Sequence, residues 1–450
     1  MSGRIVVIGG GLAGITAALD CAGRGAAVTL VEVRPRLGGA AYSFARDGLS
    51  LDNGQHVFLR CCTAYRQLLE RLGATDGVVL QRRLDIPVLA PGGRRARLRR
   101  SAFLPAPLHL ASALARYRLL PARDRAAAAR TALALRRLDL AEPGLDDRAL
   151  GVWLAEHGQG PRAQSALWDL IARPALNVPA REASLALGAF VFRTGLLDRA
   201  DAGDIGWARV PLSQLHDEPA RRALAAAGVD VRLGWRATRI VAEHGAVRAV
   251  EGPDGRLDAE AVVLAVPHER AAGLAPEGAL RDPDAMAALG RSPIVNLHVV
   301  YDRRVLDVPF AAGVDTPVQY LFDRTASSGV QSGQLLAISL SAADEEAGLG
   351  ADELRARYVP ALEELLPAAR GARVEAIHVT REHAATFRAV PGTARRRPDP
   401  RTGVAGLALA GAWTDTGWPA TMEGAVRSGA AAAREALAAI GAERGAAIAA

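Results

Sequence analysis

The glycine spacing at the start of the chain constrains its fold more than any other feature. Residues 5–8 are apolar and mostly β-branched, and they lead into Gly9, Gly11 and Gly14, spaced G-x-G-x-x-G. Such glycines permit a tight turn, a close approach of backbone to a pyrophosphate, and close packing of helix on strand. The N-terminus of the apolar helix that follows presents free N–H groups to the anion. The pattern predicts a dinucleotide site in a Rossmann-like domain.

The residues after the second strand indicate which dinucleotide is bound. A strand over residues 27–31 ends at Glu32, near the ~20-residue spacing of the acid that holds a ribose hydroxyl. The stretch from Glu32 through Gly38 and Gly39 resembles the E-x-x-x-x-x-G-G segment of FAD enzymes in the amine oxidase and carotenoid desaturase superfamily. Nicotinamide dehydrogenases do not usually carry this second glycine pair. FAD is therefore the expected cofactor, with Arg36, Gly38 and Gly39 adjoining its phosphates.

The strand and helix patterns predict an α/β chain with two interleaved domains. We expect a discontinuous Rossmann-like FAD-binding domain, made of residues 1–60, 215–290 and 395–450. A mixed α+β substrate-binding domain would be inserted as residues 61–214 and 291–394. The first insertion looks mostly helical, and the second mixes strands with a helix.

Composition excludes several classes of protein. Hydrophobic residues make up 50% of the chain and charged residues 23%, as in soluble globular proteins. No apolar run reaches the ~18 residues that would predict a membrane span, and the early first strand argues against a signal peptide. Neither the 3 cysteines nor the scattered histidines have the spacing of a metal site. All 55 basic residues are arginine, so no lysine amine is available for catalysis.

Positive charge is concentrated in one segment, residues 82–137. It contains fourteen arginines but only two acids, Asp85 and Asp124, whereas the whole chain carries a net charge of +7. Apolar residues are interleaved with these arginines, including Leu104 and Leu108. We expect a basic amphipathic segment that docks on an anionic membrane surface, although a solvated helical face is the alternative. Because aromatic residues are few and no nucleic-acid motif is present, no nucleic-acid partner is expected.

Three longer stretches carry a more specific resemblance. They are residues 51–65, which begin L-D-N-G-Q-H, residues 167–179, and residues 410–429, which contain W-P-A-T-M-E-G-A. Together they resemble the squalene-associated FAD-dependent proteins, the hydroxysqualene dehydroxylases of bacterial hopanoid pathways. The resemblance implies reductive loss of an allylic hydroxyl from a C30 isoprenoid, giving squalene, with hydride supplied by reduced FAD. It also implies a cytoplasmic protein attached peripherally to the inner face of the cytoplasmic membrane. Because only one dinucleotide motif is present, the electron donor is a separate, unidentified partner.

The resemblance also implies site residues. Gly54, Gln55 and His56 would pass beside the isoalloxazine ring, and Ala237 would lie near the adenine. The turn that includes Gly411, Trp413, Thr421 and Met422 would lie on the other side of the ring, with the helix at Glu423 aimed at the pyrimidine. For the acid that protonates the leaving hydroxyl, the candidates are His56 and Asp415, followed by Asp52.

The chain departs from the usual pattern at Ala40 and Ala412, where relatives have arginine and aspartate. Each change removes an expected cofactor contact.

Three competing functions remain to be weighed. A carotenoid-type desaturase shares the fold, the cofactor and a lipophilic substrate. An amine oxidase fits less well, because the chain has no lysine and has Thr421 in place of a tyrosine. A non-catalytic lipid carrier, like the GDP-dissociation inhibitors, would bind no flavin.

Overall fold

The computed structural model describes residues 3–449. Its strands, numbered in chain order, are β1 (Arg4–Ile8), β2 (Ala27–Glu32), β3 (Ser43–Arg46), β4 (Leu49–Asp52), β5 (Val57–Leu59), β6 (Val78–Leu80), β7 (Asp85–Ala90), β8 (Arg94–Arg99), β9 (Ile205–Ala208), β10 (Asp230–Leu233), β11 (Arg239–Glu243), β12 (Ala246–Gly252), β13 (Gly255–Asp258), β14 (Ala261–Leu264), β15 (Ser292–Tyr301), β16 (Phe310–Gly313), β17 (Tyr320–Asp323), β18 (Gln334–Ser341), β19 (Val374–Thr386) and β20 (Leu407–Leu409).

The helices surround two main sheets. They are α1 (Leu12–Ala22), α2 (Thr63–Arg71), α3 (Ala111–Ala115), α4 (Ala122–Arg136), α5 (Leu150–Glu156), α6 (Pro161–Ala163), α7 (Asp169–Leu176), α8 (Leu185–Phe192), α9 (Leu212–Ala226), α10 (His268–Leu274), α11 (Pro283–Ala287), α12 (Thr325–Ser328), α13 (Ala351–Leu365) and α14 (Met422–Ala449). Two π-helical turns, Gln164–Trp168 and Arg193–Leu197, interrupt the helical insertion. Among residues 3–449, no helix has both the length and the apolar character needed to cross a bilayer.

The first sheet is parallel, with the strand order β10-β2-β1-β14-β20. Ile5 and Val7 of β1 pack with the residues of α1 and α14, while Val6 and Ile8 face a second buried cluster. Both faces of β1 are therefore buried, which explains its unbroken apolar sequence. Because the strands are parallel, their carboxyl ends meet at one edge of the sheet, where nucleotides bind in such folds. The α/β fold class predicted from the sequence is confirmed.

The second sheet has seven strands in the order β19-β15-β18-β17-β16-β7-β8. Successive side chains of β15 point to opposite faces of the sheet. Val295, Leu297 and Val299 pack in one cluster with the residues of α13. On the opposite face, Val300 packs with Leu51 of the β3–β4 hairpin. That second face is turned toward the nucleotide-binding part of the chain.

The insertion over residues 61–214 is mostly helical, as expected, but it also contains strands that the sequence did not predict. Residues 85–99 form the β7–β8 hairpin at the end of the seven-stranded sheet. Ile86, Val88 and Ala90 alternate on β7 and are buried together. The same period of two places Arg95, Arg97 and Arg99 on the exposed side of β8. In the sequence, the many arginines of this segment hide the alternation of buried and exposed residues that is typical of a strand.

A buried carboxylate fixes the base of this insertion. Asp204 has no side-chain exposure and pairs with Arg60 at 2.9 Å and with Arg100 at 2.7 Å. It also accepts a hydrogen bond from the backbone N–H of Leu84 at 2.7 Å. One buried charge thus joins three segments that are distant in sequence.

Replacement of this carboxylate should be strongly destabilising. We expect Asp204→Asn to lower the free energy of unfolding by about 3–5 kcal/mol, because two arginines lose their buried counter-charge. The matched control is Asp201→Asn, since Asp201 lies 4.0 Å from Arg60 and its side chain is 44% exposed. Urea unfolding measures the free energy of unfolding of both variants, compared at the same dependence on urea concentration. Equal effects would contradict the role assigned to Asp204.

Candidate active site

The glycine turn after β1 has the shape of a phosphate-binding loop. A Cβ on Gly9, whose φ is +109°, would lie 2.3 Å from the carbonyl oxygen of Ala265. A Cβ on Gly14 would lie 1.9 Å from the carbonyl oxygen of Gly9. A Cβ on Gly11 would meet only the Cα of Gly39, at 3.7 Å. Gly9 and Gly14 are therefore required by packing, whereas Gly11 leaves the space that an approaching pyrophosphate needs.

Glu32 lies beside this turn, at the end of β2. Its carboxylate accepts hydrogen bonds from the backbone N–H groups of Gly10 at 2.6 Å and Arg34 at 2.8 Å. Each carboxylate oxygen can accept a further bond, so both remain able to bind ribose hydroxyls. The position matches the role expected from the spacing.

The second glycine pair is tied to the same turn. The N–H of Gly38 donates to the carbonyl of Gly10 at 2.9 Å. Arg36 donates to the carbonyl of Gly39 at 2.9 Å, and its guanidinium stacks over the Tyr42 ring at 3.6 Å from the centroid. Burial lowers the pKa of Arg36 below its ordinary value. The phosphate-side residues expected from the sequence thus form one connected loop.

The D-N-G-Q-H motif spans the junction between the two sheets. A Cβ on Gly54 would lie 3.5 Å from both Asn296 Nδ2 and His56 Nε2. Among the described residues, Gln55 Nε2 and Asn296 Oδ1 are buried without a hydrogen-bond partner. A buried donor and a buried acceptor left unpaired are costly, so they suit a ligand with a polar edge such as an isoalloxazine ring.

The turn at residues 411–423 is fixed by hydrogen bonds to neighbouring parts of the protein. The N–H of Gly411 donates to Ser428 Oγ at 2.8 Å. Trp413 is buried and donates from its indole nitrogen to the carbonyl of Val266 at 2.9 Å. The Ala412 carbonyl accepts a bond from Arg397 at 3.2 Å, so the alanine at this position is held through its backbone.

The start of α14 has two different capping interactions. The N–H of Gly424 donates to Thr421 Oγ1 at 3.1 Å, next to Met422. Glu423 is buried and accepts the N–H groups of Ala64 at 3.1 Å and Tyr65 at 2.8 Å. The Glu423 side chain therefore caps α2, and only the N-terminus of α14 can face a flavin.

Two further positions expected beside the cofactor, those of Ala237 and Ala40, contact other parts of the protein. Ala237 is half-buried against the core cluster beside the first sheet. Ala40 is exposed, and its carbonyl accepts a bond from Asn53 Nδ2 at 2.8 Å.

The structure separates the three candidate acids. Asp415 is exposed and accepts the N–H of Gly417 at 3.1 Å. Asp52 and His56 line one cavity together with Arg324. Asp52 pairs with Arg324 at 2.8 Å and accepts bonds from Ser43 Oγ at 2.6 Å and the Leu212 N–H at 3.0 Å. These partners fix the position of the Asp52 carboxylate at the edge of the cavity.

His56 is the cavity residue able to exchange a proton. Burial lowers its pKa below the ordinary value, and the charges of Asp52 and Glu382 oppose that shift. Its imidazole is consequently neutral near neutral pH, with one nitrogen that donates and one that accepts. Such a group can pass a proton in either direction.

Asn53 is the site residue that sequence reasoning missed most clearly. Its Nδ2 also donates to Glu382 Oε1 at 2.9 Å, and its Oδ1 accepts the N–H of Tyr42 at 3.1 Å. Its backbone oxygen accepts bonds from Asn296 Nδ2 and Thr380 Oγ1, each at 3.0 Å. The motif around Asp52 and His56 pointed to this position. No comparable sequence pattern indicates Arg324 or Glu382.

One sheet face changes from polar to apolar below this site. The cross-strand row from β19 to β16 reads Thr380, Asn296, Ser339, Tyr320 and Ala312. The neighbouring row reads His378, His298, Ala337, Phe322 and Phe310. Trp207 packs edge-on against Phe310 at 5.5 Å between ring centroids and also lines the His56 cavity. Phe310 and Phe322 are buried in one core cluster, and Phe322 also lines the His56 cavity.

Comparison with known proteins gives the family. The family of flavin containing amine oxidoreductases matches residues 12–437. The chain belongs to this family. It is an FAD-dependent oxidoreductase, which confirms the cofactor expected from the sequence.

Relatives and solved structures agree with this assignment. A hydroxysqualene dehydroxylase of Rhodopseudomonas palustris is 31% identical, over 98% of this chain and 99% of that protein. A zeta-carotene desaturase of Zea mays is 24% identical, over 95% of this chain and 82% of that protein. A solved oxidoreductase from Methanosarcina mazei has a TM-score of 0.72 at 17% identity, covering 95% of this chain and 99% of that one. The resemblance predicted from the sequence is confirmed.

The space at Gly11 provides a test of the cofactor site. We expect Gly11→Ala to fold normally but to lose most of its bound FAD, because the added methyl group occupies the pyrophosphate position. Flavin absorbance per protein and thermal unfolding of the apoprotein measure the two effects. Gly273→Ala is the matched control, since a Cβ there meets nothing within 4 Å. Full flavin content in Gly11→Ala would contradict this assignment.

Proposed function

We propose that this protein removes the allylic hydroxyl of hydroxysqualene, giving squalene in hopanoid and squalene biosynthesis. The observation that carries the proposal is the sheet face that runs from Asn296 and His298 to Phe322 and Phe310, beside His56. A long hydrocarbon with a single hydroxyl matches that change of polarity. The relatives named as hydroxysqualene dehydroxylases support the same reading.

The chain's own groups can assist this chemistry. Reduced FAD supplies the hydride that replaces the hydroxyl. Loss of the hydroxyl as water also consumes one proton, which His56 is placed to deliver. The paired charges of Asp52 and Arg324 would hold a fixed field beside the breaking C–O bond.

Apolar walls would hold the hydrocarbon. Leu167, Ile171 and Leu196 lie between two buried clusters, on or next to the π-helical turns. Transferring a C30 chain through water costs ~0.8 kcal/mol per carbon. A direct path from lipid to this pocket is therefore part of the proposal.

A carotenoid-type desaturase is the second candidate function. The Zea mays relative supports it, and the apolar half of the sheet face suits a polyene as well as squalene. A desaturase would take hydride from its substrate onto oxidised FAD, the opposite direction of electron flow. The direction of transfer therefore separates the two functions.

An anaerobic reaction tests the proposal directly. The holoenzyme is reduced, hydroxysqualene is added, and the flavin spectrum is followed while squalene is assayed. We expect flavin reoxidation matched by squalene formation. Flavin that stays reduced, together with bleaching of the oxidised enzyme by a polyene, would favour the desaturase instead.

The same assay tests the proton donor. We expect His56→Ala to slow the reaction by about 100-fold or more, the usual range for loss of a general acid. Asp415→Asn should react at the normal rate, because Asp415 is in an exposed turn. Flavin content is measured in both variants, since Gly54 and Gln55 adjoin His56. The opposite result would identify Asp415 as the acid.

We also propose that the protein docks peripherally on the inner face of the cytoplasmic membrane. Phe103, Leu104 and Leu108 form an apolar loop after β8, with exposures of 94%, 44% and 56%. Exposed Arg95 and Arg118 lie in the same basic segment. Other apolar residues of that segment, Tyr117, Leu119 and Leu120, are buried and pack inside the protein. The docking surface is therefore the loop and its arginines, a narrower region than residues 82–137.

Vesicle binding tests this surface. We expect the wild type to co-sediment with anionic vesicles at low salt, and the Phe103→Ser/Leu108→Ser variant to bind at least about ten-fold more weakly, because two apolar side chains no longer enter the lipid. Val152→Ser is the matched control, since Val152 is 55% exposed but lies on α5. Equal binding to neutral vesicles, or equal loss in the control, would contradict the proposal.

A further inference from the structure

Two buried histidines that the proposed mechanism does not use lie opposite each other on adjacent strands. His298 of β15 is directly opposite His378 of β19, on the face turned toward the D-N-G-Q-H motif. Their exposures are 1% and 6%. Among the described residues, both ring nitrogens of His298 and Nε2 of His378 have no hydrogen-bond partner. Buried polar atoms of this kind usually bind ordered water.

The pair has a route to solvent at one end. His378 Nδ1 lies 3.6 Å from Asp47 Oδ2, at the tip of the β3–β4 hairpin, and the Asp47 side chain is 74% exposed. Arg46 is the other charged group near His378. Asp47 can therefore exchange protons with bulk water beside a buried imidazole.

The other end of the pair lies in the same cross-strand row as Phe322, which lines the His56 cavity. The charged groups acting on His298 are Asp52, Arg324 and His378 itself. Asp52 and Arg324 line the same cavity as His56. From solvent inward, the groups are thus Asp47, His378 and His298, followed by the cavity that holds His56.

We propose that His378 and His298 conduct the proton that the leaving hydroxyl takes up, from Asp47 at the surface to the cavity that holds His56. The inference rests on the proposed dehydroxylation. In each turnover the C–O bond breaks, its electron pair leaves with the oxygen, and that oxygen gains one proton to become water. His56 donates this proton, and the histidine pair returns one to it from solvent.

The state of the histidines suits this role. Burial lowers the pKa of His298 to about 4, and burial also lowers the pKa of His378. Both imidazoles are then neutral near neutral pH, each able to accept a proton on one nitrogen and release one from the other. Neither histidine touches the reacting atoms in this scheme, so both act through His56.

The test compares His298→Gln and His378→Gln in the anaerobic flavin reoxidation assay across pH. We expect each variant to be about ten-fold slower than wild type near pH 8 but close to wild type near pH 6, where free protons are about 100-fold more abundant. Added imidazole should partly restore the rate. His383→Gln is the matched control, because His383 is exposed on the same strand.

A structural role gives a different pattern. Loss of rate by the same factor at every pH, without rescue by imidazole, would overturn the relay, as would unchanged rates in both variants. Spectra of isotope-labelled histidine in the holoenzyme provide a readout that needs no turnover. We expect neutral-imidazole resonances for His298 and His378, and the resonance of each should shift when the other is replaced. Independent resonances would overturn the pairing.

The same assay separates failure of the relay from failure of the function. If hydroxysqualene does not reoxidise wild-type flavin, the proposed function is wrong and the relay is wrong with it. If wild type reacts but the variants show no dependence on pH, only the relay is wrong.

Discussion

The buried ion pair between Asp52 and Arg324 is the interaction that fixes the D-N-G-Q-H motif against the seven-stranded sheet. Arg324 also donates to the backbone carbonyls of Ala208 and Val210, and Asp52 accepts the N–H of Leu212. Removing water from two charges is costly, and only a complete set of partners offsets that cost. The partners come from the β3–β4 hairpin, from residues 208–212 and from the end of β17, so the pair forms only when these three segments are in place. The cavity beside His56 is bounded by these same groups.

Asn53 extends this junction toward the cofactor. Its side chain bonds to the loop after the second glycine pair, while its backbone oxygen bonds to β15 and β19. A single residue thus connects the loop after the second glycine pair with the polar half of the sheet face. A shift of the seven-stranded sheet would move Asn296, which with His56 is a closest neighbour of Gly54. The loop after the second glycine pair and the seven-stranded sheet are therefore mechanically coupled through the D-N-G-Q-H motif.

Sequence reasoning succeeded where local pattern and structure share one cause. The turn at Gly9, the strand ending at Glu32 and the parallel sheet follow from short-range rules, so they were predictable. Roles that depend on distant partners were not. Glu423 was expected at the flavin, yet its carboxylate caps α2, because that helix has its N-terminus against α14. Asp52 and Asp415 look equivalent as acids in the sequence. Only the fold gives one an arginine partner and leaves the other exposed.

The arginine-rich segment illustrates why charge alone did not locate a surface. Arg97 and Arg99 pair with Asp85, Arg100 pairs with buried Asp204, and Arg94 pairs with Asp315. Each of these acids is shared by two arginines, so internal pairing reduces the positive charge of the segment without cancelling it. The loop at Phe103 lacks such partners for its ring, since 94% of that side chain is exposed. Exposed apolar area costs free energy in water unless another phase covers it. In the proposed function, lipid is the phase that covers this loop, and lipid is also the source of the C30 substrate.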